Sequence, residues 1–254
     1  MVYYIKTQLN TALHRKYTKH YICGIIAACL VANLAMSGFR NIIYGMNDGT
    51  FAYNLIMFAK GFFWIPYYSC IFIADIVFGD NYPDPRIRDK STIGLSRAQI
   101  FFGKFITELI ALVIYALLAT IIFLVITPLF QVHDGTIDAS IIIDFIQAVV
   151  IAMPLFVAGV AIGNMFLFSA KNKKQAFILF VICVILVPRA IIYLATDNIR
   201  IMPCVWLTKI LLTPQFQELQ FYATRDVTKI ITTSVVYTII ACIIGCRSFY
   251  KREF

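Results

Sequence analysis

Charge is what this chain has least of. Of its 254 residues only 14% are Asp, Glu, Lys or Arg, while 61% are hydrophobic and the mean hydropathy is +0.82. A soluble domain carries about 25% charged and about 45–50% apolar residues, so this composition excludes an ordinary cytosolic enzyme and a disordered chain. Acid is the scarcer sign, with 13 Asp+Glu against 22 Lys+Arg and a formal net charge of +9. In a soluble protein such an excess of base would point to nucleic acid. Here the bases sit between long apolar runs, which a bilayer with cationic loops on its cytoplasmic face accounts for. No nucleic-acid partner is expected.

Catalytic and metal signatures are missing as well. There is no G-x-S-x-G elbow, no H-E-x-x-H and no carboxylate pair at metal spacing within one apolar run. His14, His20 and His133 all fall outside those runs. The seven cysteines form no C-x-x-C pair. Cys23, Cys29, Cys70, Cys183, Cys242 and Cys246 lie in or beside apolar runs and read as small hydrophobes, which leaves Cys204 alone in a loop. No catalytic residue, bound cofactor or metal is expected. Internal repeats, low-complexity tracts and Gly/Ser linkers are also absent, so residues 1–254 read as one membrane domain.

What is present is six apolar stretches: Tyr21–Phe39, Leu55–Phe78, Phe105–Thr127, Ile141–Phe168, Gln175–Leu194 and Ile230–Cys246. A helix needs about 20 mostly apolar residues to cross the hydrocarbon core, whereas barrel strands run about 9–11 with alternating polarity. The expected fold is therefore an all-α polytopic membrane protein with six transmembrane helices. With the N-terminus inside, the cytoplasmic segments carry Lys6, Arg15, Lys16, Lys19, Arg86, Arg88, Lys90, Arg97, Lys104, Lys171, Lys173, Lys174, Arg247, Lys251 and Arg252. The outer segments carry only Arg40, Arg200, Lys209, Arg225 and Lys229. This asymmetry places both termini in the cytoplasm. Ala35-x-Ser37 could pass as a signal-peptide cleavage site, but the run before it is long for one. The first stretch is expected to stay as a membrane helix.

Three segments outside the spans carry information. In residues 1–20, Val2, Ile5, Leu9 and Leu13 recur at helical spacing and predict an amphipathic interfacial helix. The loop 79–104 is the most polar region: Pro83 and Pro85 stop the preceding helix, and Ser96 is placed to cap the next one. Segment 195–228 is too apolar for a solvated loop, yet Pro203 and Pro214 prevent a seventh span. Short amphipathic helices dipping into the outer leaflet are expected there, anchored by Trp206 and Tyr222.

The run Ser91-Thr92-Ile93-Gly94-Leu95-Ser96-Arg97, followed by Ile100 and by Gly103-Lys104 opening a span, resembles the loop between spans two and three of type-2 ABC transporter permeases. The layout is similar too, with an interfacial N-terminal helix, six spans, a short basic loop between spans four and five, and outer helices before span six. The resemblance implies a half-transporter without its own motor. It would bind two cytoplasmic ABC ATPase subunits and pair with a second permease chain, identical or homologous. ATP and Mg would be bound by the ATPase, and the coupling residues would be Arg86, Arg88, Asp89, Lys90, Ser91, Thr92, Gly94, Ser96 and Arg97. The chain itself has no phosphate loop, because Gly103-Lys104 is followed by Phe105 where a hydroxyl residue is needed.

Ionisable groups inside a membrane are costly and often functional. Lys60, Asp75, Glu108, Asp144, Asn164 and Arg189 lie in or near the ends of spans, and Asp144 could neutralise Lys60 or Arg189. Lys60, Trp64, Asp144 and Arg189 are the candidate pathway or charge-pairing residues. Long side chains near helix ends can equally well snorkel. Lys104 and Glu108 share one helical face, and Pro66, Pro154 and Pro188 are candidate kinks. The expected function is that of the membrane subunit of an ATP-driven exporter in a bacterial cytoplasmic membrane, not itself an enzyme. Its substrate would be an amphipathic peptide, a lipid-like molecule or a hydrophobic drug. The alternatives are a non-transporting sensor or immunity subunit and a passive channel.

Overall fold

The protein is seen in a computed structural model that describes residues 1–39, 51–78, 96–131, 139–196, 199–220 and 225–251. Among the described residues every regular element is helical. Five helices are long and apolar enough to cross a bilayer, and a bent pair, 52–60 with 64–78, makes a sixth span when taken as one. The chain is thus an all-α polytopic membrane protein.

The chain opens with α1 (Val2–His14). Arg15 then adopts an extended conformation with ψ of 148°, which separates α1 from the first span, α2 (Lys16–Phe39). The Thr18 hydroxyl closes the corner by donating to the Ala12 carbonyl at 2.5 Å, and the Arg15 guanidinium donates to the Ile76 carbonyl. Tyr4, Ile5, Leu9 and Ala12 turn toward the bundle, while Val2 is 81% exposed. The expected apolar face therefore lies against protein and is shifted by one residue at its start. The reason is Gly103, where an added Cβ would stand 3.0 Å from the Tyr4 ring: only glycine lets that ring settle on the following span.

The second span is broken near Pro66, one of the candidate kinks, although the break falls a turn before the proline. It consists of α3 (Phe51–Lys60), α4 (Trp64–Tyr68) and α5 (Cys70–Phe78), with a bend of 44° between residues 60 and 64. Pro66 lies at the root of the break, because it has no N–H for the Phe62 carbonyl one turn back. That carbonyl accepts from Ile65 at 2.9 Å instead, and Gly61 and Phe62 make tightened bonds to Phe58 and Ala59. The consequence of the proline thus falls upstream of it.

Next come α6 (Arg97–Phe130) and α7 (Ala139–Ser169). At 34 residues α6 is about 50 Å long, well beyond the ~30 Å hydrocarbon core. Pro154 sits inside α7 without interrupting it. The fifth span runs from α8 (Lys173–Phe180) through a π-helical turn, Val181–Leu186, into α9 (Val187–Leu194). Pro188 cannot bond to Val184, and the wider turn upstream absorbs that loss. Two short helices follow, α10 (Met202–Thr208) and α11 (Leu212–Glu218), before the last span, α12 (Val227–Lys251).

The hub is α7. Of its most apolar window 56% is buried inside the bundle, while none of the other four unbroken spans exceeds 22%. Small residues allow this: Ala148, Ala152, Ala158 and Ala161 are all at most 1% exposed. A Cβ on Gly159 would stand 2.8 Å from the Tyr67 ring, so α4 and α5 lie directly against α7. Close approach of backbones through small residues is how helices associate where lipid offers no hydrophobic drive.

Candidate functional site

The bundle has two chemically different ends. Toward the end where α7 and α12 begin, Lys60 is fully buried and its ammonium donates to Asp144 Oδ2, while Asp144 Oδ1 meets the Arg225 guanidinium at 2.7 Å. One carboxylate on α7 thus bridges two cations that are 0% and 2% exposed in their side chains, with Asp144 itself 25% exposed. Lys60 is the last residue of α3, where the helix dipole favours a cation. Arg225 also donates through Nε to the Leu219 carbonyl at 3.0 Å, which ties the segment after α11 to the same cluster. A cleft of about 430 Å³ opens beside it, lined by Ile146, Gln147, Val150, Ile151, Arg225 and Val227.

The same end holds α11 in place. Phe216 is fully buried between Tyr67 and Phe156, with ring centroids 5.1 and 5.4 Å away. In contrast, α10 buries no residue, and its Trp206 is 66% exposed beneath the Lys209 ammonium. Short apolar helices do occupy segment 195–228, but one is seated in the bundle and the other lies on its surface. Tyr222 lies outside the described residues.

Arg189 does not join Asp144. Its guanidinium lies 4.0 Å from the centre of the Trp64 ring, which brings the fifth span to the broken second one. The four candidate residues therefore fall into two separate pairs, Lys60 with Asp144 and Trp64 with Arg189. Arg225, read from the sequence only as a loop cation, is the member of this cluster that was missed. Its sole local signal is its position just before the last apolar stretch, and its partner lies 81 residues earlier.

The opposite end is aromatic. Phe78, Phe101, Phe168 and Phe249, from four different helices, form one buried cluster with centroid distances of 4.6 to 6.2 Å. Tyr4 packs beside it, and burial pushes its phenol up to about 12, so it stays neutral and serves packing. Ser96 caps α6 in a reciprocal box, accepting from Gln99 N at 3.2 Å while Gln99 Oε1 accepts from Ser96 N at 2.9 Å. Arg97 reaches across to the Tyr250 carbonyl at 3.1 Å, so the start of α6 and the end of α12 lie together. Of the candidate coupling residues, Arg86, Arg88, Asp89, Lys90, Ser91, Thr92 and Gly94 lie outside the described residues.

Between the two ends, Glu108 and Asn164 are buried against each other, with the Asn164 amide donating to the Glu108 carboxyl. At the aromatic end itself, the buried Lys104 ammonium lies 4.8 Å over the Phe78 ring, and Asp75 meets Lys173, the first residue of α8, at 2.6 Å. Among the described residues no three His, Cys, Asp or Glu side chains converge where a metal ion could be held.

Fold and site together define a multi-pass helical membrane protein whose spans are joined by a shared carboxylate toward one end and by a cluster of tilted and edge-on aromatic rings at the other. No family model matches the chain, and no curated protein matches it.

Proposed function

We propose that the chain is the membrane-spanning permease subunit of an ATP-driven exporter of the type-2 ABC kind. The observation that carries this reading is the order of elements around the six spans. An amphipathic helix, α1, packs across α5 and α6 at one end, and α11 is tucked into the opposite end just before the last span. The run 91–104, whose resemblance to the family suggested the reading, leads directly into the capped start of α6.

In this reading α1, loop 79–104 and both termini face the cytoplasm of a bacterial cell. Two separate ATPase subunits bind ATP and Mg, dock on loop 79–104 and drive a pair of permease chains. Closure of the ATPases pushes on Arg86–Arg97 and opens the paired spans toward the α11 end. The half-exposed aromatics of the second span, Phe62, Trp64 and Phe72, suit an amphipathic peptide, a lipid-like molecule or a drug as cargo.

Reversing charge in the coupling loop tests this. Arg88→Glu and Arg97→Glu are expected to insert normally while ATP hydrolysis in the reconstituted complex falls to that of the ATPase alone. Unchanged hydrolysis in both variants would remove the coupling role.

A further inference from the structure

We propose that Arg189, Trp64 and the aromatic side chains around them form a binding site for the headgroup phosphate of an anionic phospholipid. The proposal rests only on the chain's place in a bilayer and goes beyond the exporter reading.

Arg189 differs from the paired cations of the bundle. Lys60 and Arg225 share Asp144, Lys173 meets Asp75, Lys229 meets Glu218, and Arg15 and Arg97 donate to carbonyls. Among the described residues nothing accepts a hydrogen bond from Arg189, and its one polar contact is the face of Trp64. A guanidinium presents five N–H donors in its own plane. Lying over a ring uses its face and leaves that edge to an acceptor.

Its depth favours an acceptor. The fifth span has 22 residues, about 33 Å, which barely exceeds the ~30 Å hydrocarbon core. Arg189 lies five residues before the end of α9 at Leu194, about 8 Å inside that span. There an arginine is expensive unless it pairs or draws polar headgroups toward itself. Lipid phosphate is the anion that bilayer provides at this level, and its acyl chains suit the exposed apolar wall nearby.

The surroundings are shaped accordingly. Trp64 has Phe62 at 6.2 Å and Tyr68 at 5.4 Å, and Tyr193, one turn beyond Arg189, is 66% exposed. Both backbones are irregular beside the pair, with the break at residues 61–63 before Trp64 and the π-helical turn before Arg189. Such turns are frequent at functional sites because they re-aim the side chains that follow. α4 and α9 are not among the closely packed helix pairs, and the Trp64–Arg189 contact is what joins them.

The chain has two tryptophans, Trp64 and Trp206. In a Trp206→Phe background, which alters an exposed position, fluorescence reports on Trp64 alone. The full chain is reconstituted in bilayers containing acyl-brominated phosphatidylglycerol or acyl-brominated phosphatidylcholine, and quenching gives their relative occupancy beside Trp64. Phosphatidylglycerol is expected to be favoured about fivefold, the usual effect of one arginine near anionic lipid. Arg189→Gln is expected to abolish the preference. Equal quenching by the two lipids in the Arg189 protein would overturn the proposal, and this comparison needs no variant at Arg189. A preference that survives Arg189→Gln would overturn it too, as would its loss on adding millimolar inorganic phosphate, which would identify a free anion as the ligand.

Discussion

The two ends of the bundle solve the same problem with different chemistry. At the α1 end, helices α5, α6, α7 and α12 meet through Phe78, Phe101, Phe168 and Phe249, whose rings gain area burial and edge-to-face contacts, with the Lys104 ammonium over the Phe78 ring beside them. At the far end, α3, α7 and the segment leading into α12 meet on one carboxylate, Asp144, set between Lys60 and Arg225. An aromatic cluster tolerates sliding, because each ring has several partners. A carboxylate shared by two buried cations does not, since moving either span strands a charge. We therefore read the ionic end as the more exacting of the two in how its spans must sit.

The strongest way to break the contrast is Asp144→Asn. It leaves Lys60 and Arg225 buried without their carboxylate, and removing one partner of a buried ion pair costs about 3–5 kcal/mol. The thermal midpoint in detergent should fall markedly, and adding Lys60→Met should restore part of the loss. An unchanged midpoint in the single variant would show that the cluster is not structural. At the other end Phe249→Ala removes a ring that is 1% exposed and should cost about 3 kcal/mol in the same assay. No second substitution elsewhere in the cluster should rescue it, because the loss is one of packing. Lys229→Ala sharpens the comparison from below. Its bridge to Glu218 is near the ionic end, but both side chains are about 30% exposed, so the effect should stay under about 1 kcal/mol. A loss as large as that of Asp144→Asn would mean that exposure does not separate the two pairs.

Much of the fold was legible in the sequence because an apolar run long enough to span a bilayer needs no partner to be read. The six spans, the helical N-terminus and the short helices in segment 195–228 all announced themselves through composition and spacing. Pro66 marked a kink in the second span, but not where the break falls, since Gly61 sits in an apolar context and the effect of the proline appears a turn upstream of it. Pairing was harder still. Lys60, Asp144, Trp64 and Arg189 stood out singly as polar or aromatic groups in apolar runs, but which meets which depends on contacts 81 to 125 positions apart in the chain. Arg225 looked like any loop cation, and Glu108 and Asn164 were visible without any hint that they touch. Local patterns encode the spans, while the site is encoded in how the spans assemble.

The central claim is that this membrane domain works with a separate motor docked at its α1 end. The direct measurement is purification of the tagged chain from its native host in mild detergent, with mass analysis of the subunits that accompany it. The exporter proposal predicts an ABC ATPase in roughly equal copy number with this chain. A stable chain or self-oligomer carrying no ATPase would contradict it.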